Sequence, residues 1–469
     1  MPSLQEILSS ASAHPIYTPL LQKSAIAKNV SSVPAPSNVE EAWRSDLSLT
    51  DFPFLVKDHL ISSFQTLIRT DPTFLHSAYL SPTGGTRGGS TQLYFVTATA
   101  DNRAQRRVAA DMYANLRVIE KTDIFMNLHG GIAMYRGQDL TSTLIDLAGG
   151  TELSIGGITS DAETLEIARM FRPNAIFSTS SRVLQFAKYV ATLPESERLR
   201  VRKVIYTSEP LPPAQEVFLH EALGVELIGS CYGSAEAGPM AGAPPIPIRT
   251  TVEGTLNGNS SAEYREFVFD RKMVVIEIIN AQGETIACSI PGQELGSGEV
   301  GEIILTSLDR LKNPLVRYRT GDLGSLHALH DMSLMDETKR GDYLRFRSYG
   351  RNPMMSFFID SEYIDVVELQ RRIFSKPEHD VLEWQVIISP LSAEEMSCEE
   401  EGTKADGLEF RIVTKGEVAC GDLYEKGVQK DLIENIIGPN IKITVKRVGY
   451  DGMVKGKTGR KIVKVQDKR

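Results

Sequence analysis

The chain has 469 residues, 41% of them hydrophobic and 24% charged, with a formal net charge of −9 at pH 7. This length favours two or three domains of roughly 100–200 residues each, and the balanced composition excludes collagen-like and disordered chains. The negative charge argues against non-specific nucleic-acid binding, which needs a surplus of Lys and Arg. We expect a cytoplasmic protein without a membrane span, because the sequence shows no targeting peptide and no apolar stretch of about 20 residues.

The first informative segment is a glycine-rich run at residues 81–91, SPTGGTRGGST, with four glycines and five hydroxyl side chains. Glycines let backbone N–H groups converge on an anion, and Arg87 adds a charge that suits phosphate oxygens. The spacing from Gly84 to Gly89 is that of a P-loop, but Ser90 occupies the position of the P-loop lysine. The run therefore predicts either a phosphate-binding loop outside the P-loop class or an ordinary surface turn.

Strand-like and helix-like segments alternate between Ser160 and Ser230. The predicted elements are a helix from the capping signature of Ser160 and Glu163 through Phe171, a strand at 175–177, a helix at 183–190, a strand at 203–207, a helix from Pro213 to a Gly224 cap, and a strand at 225–228. Strands separated by helices predict a parallel sheet with right-handed crossovers. Ligands of such sheets bind at the carboxyl ends of the strands, so the loops there are candidate sites.

The remaining chain contains short β-rich runs and a basic tail. Runs at Val274–Ile279 and 301–305 predict an added β subdomain. Beyond Gly350, strand-like runs at 384–388 and 408–413 flank an acidic stretch at 394–401, which we interpret as a solvated loop. Residues 440–469 carry ten Lys or Arg side chains against two Asp.

Two polar motifs fall where the predicted sheet would place a site. Residues 232–236, YGSAE, follow the strand that we expect to end near Gly229, and Glu236 could hold a magnesium ion. Residues 317–322, RYRTGD, place Asp322 in a predicted turn beside two arginines, where its carboxylate would suit a ribose diol. Ordinary roles stay open for both motifs, with Tyr232 in a core, Glu236 in solvent and Asp322 in a salt-bridged turn.

Together these segments resemble the superfamily of adenylate-forming enzymes, which includes acyl-CoA synthetases, firefly luciferase and nonribosomal adenylation domains. The glycine-rich run resembles the phosphate loop of that superfamily, residues 232–236 resemble its YGxTE motif, and residues 318–323 resemble its YRTGDL motif. Gly350-Arg351 resembles the start of its hinge, and residues 459–469 resemble its lysine-bearing tail. The string YGSAEAGPMAG is especially similar to the version in phenylacetate-CoA ligases. The resemblance spans roughly residues 81–469.

The resemblance implies an α/β fold with two parts. The first is a large N-terminal adenylation domain at residues 1–349, with parallel sheets and a β subdomain, and the second is a small, mobile α+β lid at residues 350–469. The active site would lie between them.

The resemblance also implies site residues. Thr83, Gly84, Gly85, Thr86, Arg87 and Gly88 would hold the ATP phosphates, and Ser208, Glu209 and Pro210 would line the adenine pocket. Tyr232 would stack on adenine, Asp322 would bind the ribose, and Gly233, Ser234 and Arg351, at the start of the hinge, would also belong to the nucleotide site. His129, Gly130 and Gly131 would form a wall of the acid pocket. Glu236 would bind magnesium and would be a catalytic residue in that role. A tail lysine would stabilise charge that develops at the α-phosphate. Lys461 is favoured, because its distance from the terminal Asp-Lys-Arg is that seen in phenylacetate-CoA ligases, and Lys457 remains the alternative.

The implied reaction joins ATP and an aryl or other apolar carboxylic acid into an acyl-adenylate, and then transfers the acyl group to coenzyme A. Residues 352–355 and 358–360 depart from the family pattern at the hinge, so two alternatives stay open: an amide-forming or carrier-protein ligase with the same first step, and a non-catalytic nucleotide-binding homologue. The expected partners are small molecules, with no nucleic acid and no membrane, and a homodimer stays open.

Overall fold

A computed structural model describes residues 2–27, 47–82, 94–131, 134–250, 264–293, 295–329, 341–351, 357–359, 362–364, 366–374, 380–390, 406–416, 421–432, 442–455 and 462–468. The predicted phosphate loop from Thr83 to Gly88, both candidate lysines, Lys457 and Lys461, and the acidic stretch at 394–401 lie outside these residues. Within the described part of the chain, no helix is long and apolar enough to cross a membrane.

The described helices have the following bounds: α1 (Leu4–Ser12), α2 (Thr18–Ala27), α3 (Lys57–Thr70), α4 (Thr99–Asn115), α5 (Gly137–Ala148), α6 (Asp161–Phe171), α7 (Ser180–Ala191), α8 (Pro213–Leu223), α9 (Val366–Phe374) and α10 (Gly421–Leu432). Short 3-10 turns lie at Leu49–Asp51, Glu195–Glu197 and Tyr450–Gly452.

The described strands are β1 (Ala78–Pro82), β2 (Tyr94–Ala98), β3 (Ile124–Asn127), β4 (Thr151–Ser154), β5 (Ala175–Thr179), β6 (Lys203–Thr207), β7 (Leu227–Ser234), β8 (Gly238–Pro247), β9 (Arg265–Asp270), β10 (Val274–Ile279), β11 (Thr285–Cys288), β12 (Gly301–Ser307), β13 (Tyr318–His327), β14 (Tyr343–Arg351), β15 (Phe357–Ile359), β16 (Glu362–Ile364), β17 (Val381–Pro390), β18 (Asp406–Thr414), β19 (Lys442–Arg447) and β20 (Val465–Asp467).

In the described residues one sheet of twelve strands runs in the order β11-β10-β12-β13-β14-β9-β8-β7-β6-β5-β3-β4. The five strands from β7 to β4 are parallel, as the alternation of strands and helices predicts. Local signals explain the crossover helices: the Ser160 side chain accepts a hydrogen bond from Glu163 N at the start of α6, and Gly224 ends α8 with a φ of 68°. The predicted α/β fold is confirmed.

One detail of the sequence prediction is wrong. The strand predicted to end near Gly229 continues through Ser234, because β7 and β8 form an antiparallel pair in which Tyr232 lies opposite Ala241. The β-rich runs predicted at Val274–Ile279 and 301–305 are strands β10 and β12, as expected. They belong to the same sheet as the parallel strands, because β8 pairs with β7 on one edge and with β9 on the other.

The C-terminal part is α+β, as predicted. Four strands pair in the order β19-β18-β17-β20, with β17 antiparallel to β18 and parallel to β20. Helix α9 contributes Leu369 and Ile373 to the core of this sheet. The predicted boundary between residues 349 and 350 stays a prediction.

A shared hydrophobic core joins the two parts. Leu128, Tyr206 and Leu211, which lie around the carboxyl ends of β3 and β6, are buried in one cluster with Met453 and Ile462 of the C-terminal part. The side-chain amide of Gln215, on α8, also donates a hydrogen bond to the backbone oxygen of Leu382. The four-stranded sheet is therefore packed against the same side of the molecule that carries the candidate site.

Candidate functional site

The carboxyl ends of β5, β6 and β7 are aligned at one edge of the sheet. Thr179 pairs with Thr207, and Thr207 pairs with Cys231, one residue before Tyr232. The chain after each of these strands therefore reaches the same edge, where open parallel sheets bind their ligands.

His129 lies at this edge, just beyond β3, and only 4% of it is exposed. Its Nδ1 accepts a hydrogen bond from Gly130 N at 3.2 Å, and its Nε2 lies 3.0 Å from the hydroxyl oxygen of Thr207. Burial lowers the pKa of His129 to about 4, so the ring is neutral near pH 7. With Nδ1 as acceptor, the single ring proton is on Nε2 and is donated to Thr207. His129 is therefore an uncharged wall residue, and Gly130 and Gly131 continue the segment.

The chain packs closely around this imidazole. A Cβ atom at Gly137, the first residue of α5, would lie 2.4 Å from His129 Nδ1, so the helix can approach only with glycine there. The Tyr135 ring lies 5.9 Å from the His129 ring. Burial raises the pKa of Tyr135 to about 12, and the charge of Glu209 adds to that rise, so the phenol stays protonated.

The loop after β6 contains Ser208, Glu209 and Pro210. Ser208 has a φ of 75°, a left-handed conformation that costs a non-glycine residue about 1–3 kcal/mol and is common at functional sites. Glu209 is buried, and the Ser180 hydroxyl donates to its Oε2 at 3.4 Å. Among the described residues its Oε1 has no hydrogen-bond partner. A buried carboxylate oxygen of this kind fits a donor supplied by a ligand.

Tyr232 and Asp322 are in direct contact, although they are distant in sequence. The Tyr232 hydroxyl donates a hydrogen bond to Asp322 Oδ2. The Tyr232 ring packs against Phe267 and Phe346, with ring centroids 5.2 and 5.1 Å away. The motifs at residues 232–236 and 317–322, which are separate in the sequence, are thus joined by a hydrogen bond at this edge of the sheet.

Asp322 lies in β13 and not in the turn predicted from the sequence. It is opposite Arg351 in the pairing of β13 with β14, which places the predicted hinge residue beside it on the backbone. The two flanking arginines have partners of their own, since Arg317 pairs with Glu277 at 3.1 Å and Arg319 pairs with Glu302. These ion pairs fasten β13 to β10 and β12.

Glu236 follows β7 in the turn to β8, and it is 6% exposed instead of solvated. Its Oε1 lies 3.7 Å from Lys57 Nζ. The backbone of the turn is held by Arg310, which donates to Glu236 O at 2.6 Å, and by Gln105, which donates to Ala237 O at 2.7 Å. Gly233 and Ser234 pair with the start of β8, and the Ser234 hydroxyl accepts from Ala237 N at 3.1 Å.

A buried polar network that was not predicted from the sequence lies behind this turn. Gln105 also donates to Asp309, which forms an ion pair with Arg310 at 3.5 Å. Burial raises the pKa of Asp309 and lowers that of Arg310, while the attraction between the two opposes both shifts. The adjacent pair Asp309-Arg310 after a predicted strand was the one sequence signal, and nothing marked Gln105.

The base of the lysine-bearing segment is fixed against this edge. Lys455 and Ile462 form an antiparallel bridge, and Val463 N donates to Val454 O at 3.0 Å. The six residues 456–461, which include Lys457 and Lys461, therefore connect two paired ends. Met453 and Ile462, on either side of these residues, belong to the shared core.

No protein-family model matches the chain. Two curated proteins are similar in sequence: indoleacetate–lysine synthetase of Pseudomonas savastanoi, 26% identical over 236 residues (50% of this chain and 47% of that protein), and phenylacetate-coenzyme A ligase of Pseudomonas putida, 26% identical over 200 residues (42% and 38%). The matches thus span less than half the length of either relative.

The solved structure of 2-hydroxyisobutyryl-CoA ligase in its postadenylation state, in complex with 2-HIB-AMP, is similar over 99% of this chain and 88% of that one, with a TM-score of 0.67 and 16% identity. In its thioesterification state the same ligase gives a TM-score of 0.53. By their names, the two curated relatives are a synthetase that joins indoleacetate to lysine and a ligase that joins phenylacetate to coenzyme A. The chain has the fold of the adenylate-forming ligases.

Proposed function

We propose that the protein is an AMP-forming ligase that converts a carboxylic acid and ATP into an acyl-adenylate and pyrophosphate, and then transfers the acyl group to coenzyme A. The observation that carries this proposal is the contact between Tyr232 and Asp322 at the carboxyl edge of the parallel sheet. It joins the two nucleotide motifs of the sequence at the edge where such sheets bind ligands.

The nucleotide would be held by groups of different chemistry. The Asp322 carboxylate suits the two ribose hydroxyls, and the Tyr232 hydroxyl fixes its orientation through one hydrogen bond. The buried Glu209 Oε1, which has no partner within the described residues, suits the amino group of adenine. Thr83, Gly84, Gly85, Thr86, Arg87 and Gly88 would bind the phosphates, and they directly follow the last residue of β1.

Magnesium fits the residues present. No group of three or more potential metal-ligating side chains occurs in the described part of the chain. A nucleotide-bound magnesium ion needs no such group, because phosphates and water supply most of its ligands and the protein adds one or two carboxylates. Glu236, a buried carboxylate beside Lys57, would be that ligand, and the ion would neutralise charge on the phosphates.

The acid would bind against His129, Gly130 and Gly131. The His129 ring is neutral, and its one proton is committed to Thr207, so this wall offers the substrate neither a charge nor a base. Such a wall suits an aryl or other apolar acid. Holding the acid in line with the α-phosphate would supply the entropic part of the rate acceleration.

The lid at residues 350–469 would supply the positive charge. Segment 456–461 would deliver Lys461, or alternatively Lys457, to the α-phosphate as the carboxylate attacks. The packing of Met453 and Ile462 in the shared core supports an arrangement in which the lid is docked for the first step. Rotation about Arg351 would then exchange this segment for the groups that serve acyl transfer.

The acyl acceptor has two supported candidates. Phenylacetate-coenzyme A ligase and the solved CoA ligase favour coenzyme A, whereas indoleacetate–lysine synthetase favours the amino group of an amino acid. In both cases the nucleophile attacks the acyl carbonyl and AMP leaves. A cytoplasmic location fits either cosubstrate and stays a proposal.

The first experiment is magnesium-dependent exchange of labelled pyrophosphate into ATP over a panel of aryl, arylacetic and fatty acids. We expect exchange with at least one acid and none without an acid. ATP binding by calorimetry with no exchange would instead support a non-catalytic nucleotide-binding homologue.

The second experiment assigns the acceptor by incubating the accepted acid, ATP and magnesium with coenzyme A or with single amino acids, and following the products by mass. We expect a thioester with coenzyme A. An adenylate that persists with coenzyme A but becomes an amide with one amino acid would replace the thioester proposal with the amide-forming one, and leave adenylation standing.

A further inference from the structure

The sheet of the lid contains a β-bulge where it meets the N-terminal part. Strands β17 and β18 pair with Val381 opposite Thr414 and Glu383 opposite Val413, so Leu382 has no opposite residue in this register. A bulge re-aims the side chain and the backbone groups of the extra residue. Leu382 is therefore available for contacts outside its own sheet.

The side chain of Leu382 lies in the shared core. In a regular strand Leu382 and Trp384, two positions apart, would lie on the same face. Trp384 belongs to the separate core of the lid sheet, whereas Leu382 is fully buried in the cluster that also contains Leu211 and Phe218 of the N-terminal part. The bulge thus directs one apolar side chain of the lid into the other part of the protein.

Two side chains of the N-terminal part bind the backbone of the lid sheet at this bulge. The buried amide of Gln215, on α8, donates through Nε2 to Leu382 O. Lys188, on α7, donates through Nζ to Thr414 O at 2.5 Å. Because Val381 lies opposite Thr414, these two helices hold the start of β17 and the end of β18 side by side.

The hydrogen bond from Gln215 stabilises the docked lid in particular. While the lid is docked, an aliphatic residue in place of Gln215 would deprive the buried carbonyl of Leu382 of this donor, which is costly. When the lid moves away from α8, water can bind the same carbonyl. Replacing Gln215 therefore raises the free energy of the docked position more than that of other lid positions.

Gln215 also lies close to the loop that we propose for adenine. It is six positions after Glu209, and α8 begins at Pro213, soon after that loop. Leu211, between Glu209 and Gln215, is buried in the shared core with Leu382. A lid that is held at Gln215 is thus held beside the candidate site.

We propose that Gln215 is a positioning residue for the first half-reaction: together with Lys188 it holds the bulge of the lid on α7 and α8 during adenylation, and it releases the lid for acyl transfer. The inference rests on the proposed function for its chemical consequence, but the contact itself is a property of the fold. Gln215 touches neither ATP nor the acid in this scheme and acts through the position of the lid.

The kinetic test measures the two half-reactions of Gln215→Leu separately. Gln185→Leu is the matched control, because Gln185 Nε2, on α7, donates at 3.2 Å to Asp161 on α6, within the N-terminal part. For Gln215→Leu we expect the kcat of pyrophosphate exchange to fall about 5- to 30-fold. Acyl transfer from added acyl-adenylate to coenzyme A, or to the amino acid that the wild type uses, should stay within about twofold of the wild-type rate. The control should keep both rates.

Two kinetic results would overturn the proposal. Unchanged exchange in Gln215→Leu would show that the contact does not serve adenylation. An equal loss in both half-reactions would indicate general damage to the fold, since a contact that serves one lid position should affect one half-reaction. If Gln215→Leu does not fold, Lys188→Met takes its place; it removes the donor to Thr414 O, and the same split is expected.

A second readout does not depend on enzyme activity. Lys415, just after β18, has its Nζ 3.7 Å from Glu221 Oε2 on α8, and both side chains are accessible to solvent. A water-soluble carbodiimide activates the Glu221 carboxyl, and attack by the Lys415 amine forms an amide and releases the urea. The yield of this cross-link, mapped by mass, therefore reports how much of the lid is docked.

We expect the cross-link yield to be at least about threefold lower in Gln215→Leu than in the wild type or in Gln185→Leu. Equal yields in all three proteins would refute the docking role of Gln215. Absence of exchange in the wild type with every acid would instead refute the proposed function, and the two failures are thereby distinguished.

Discussion

Replacing Asp322 with alanine should weaken ATP binding more than any other single change among the described site residues. In the proposed complex its carboxylate accepts two hydrogen bonds from the ribose, each worth about 1.5–3 kcal/mol when the acceptor is charged. Loss of both corresponds to about 3–6 kcal/mol, which is about a 10²- to 10⁴-fold rise in the Kd for ATP. Asp322 is half-buried in β13, so little of this loss should be recovered by water.

Tyr232→Phe tests the same contact from the other side. The variant keeps the ring packing against Phe267 and Phe346 and removes only the hydroxyl that donates to Asp322. The hydroxyl acts on ATP through the orientation of the carboxylate, so we expect a smaller rise in Kd, about 2- to 10-fold. In a double-mutant cycle the Tyr232→Phe effect should disappear once Asp322 is alanine.

The assay is calorimetric titration with ATP and magnesium in the absence of acid, with thermal unfolding of each variant as a check on folding. Asp342→Ala is the matched control, because this partly exposed carboxylate pairs with Lys272 and lies outside the site. An Asp322→Ala variant that is folded and binds ATP within about twofold of wild type would refute the ribose assignment.

Three further predictions concern the tail, the acid wall and the buried network. Lys461→Ala should slow exchange by about 10²-fold or more with little change in ATP affinity, since its interaction forms mainly in the transition state; a normal rate there with a slow Lys457→Ala would reverse the assignment. The folded pKa of His129, about 4, lies below its unfolded value of 6.5, so the unfolded state binds more protons between these two values. The free energy of unfolding should therefore fall by up to about 3 kcal/mol as the pH drops through this range. Denaturant titrations of His129→Gln should show a shallower pH dependence than those of the wild type, and parallel curves would contradict the predicted pKa effect. Arg310→Met should lower the free energy of unfolding in urea by about 3–5 kcal/mol, because its partner carboxylate, Asp309, stays buried without a cation. For the partly exposed Arg345→Met we expect a decrease of at most about 1 kcal/mol, and equal decreases would argue against the network.

The sequence predicts the parallel part of the fold well, because its signals are local. Ser160 marks the start of α6 and Gly224 the end of α8, and each acts through backbone groups within four residues along the chain. The course of β7 cannot be read in this way. Whether residues 232–234 are strand or loop depends on their pairing with β8, and a short polar run with glycine carries no periodicity that reveals such pairing.

In the site, too, the local motifs could be predicted from the sequence, but the long-range contacts could not. The motif residues Tyr232, Glu236 and Asp322 are recognisable in the sequence, but the hydrogen bond that joins two of them spans 90 positions. The interaction of Gln105 with Arg310 spans 205 positions and involves residue types that are common in helices and turns. Such long-range polar pairs follow from the packing of strands and helices, and one sequence contains no direct signal for them.

The most direct test of adenylation follows the oxygen atoms of the substrate. In the proposed reaction a carboxylate oxygen attacks the α-phosphorus, pyrophosphate leaves, and the acceptor then displaces AMP with that oxygen still attached to phosphorus. With an acid that carries ¹⁸O at both carboxylate oxygens, mass spectrometry should find one ¹⁸O atom in each AMP released, for either a thiol or an amine acceptor. Unlabelled AMP, or ADP and phosphate as the nucleotide products, would contradict acyl-adenylate formation.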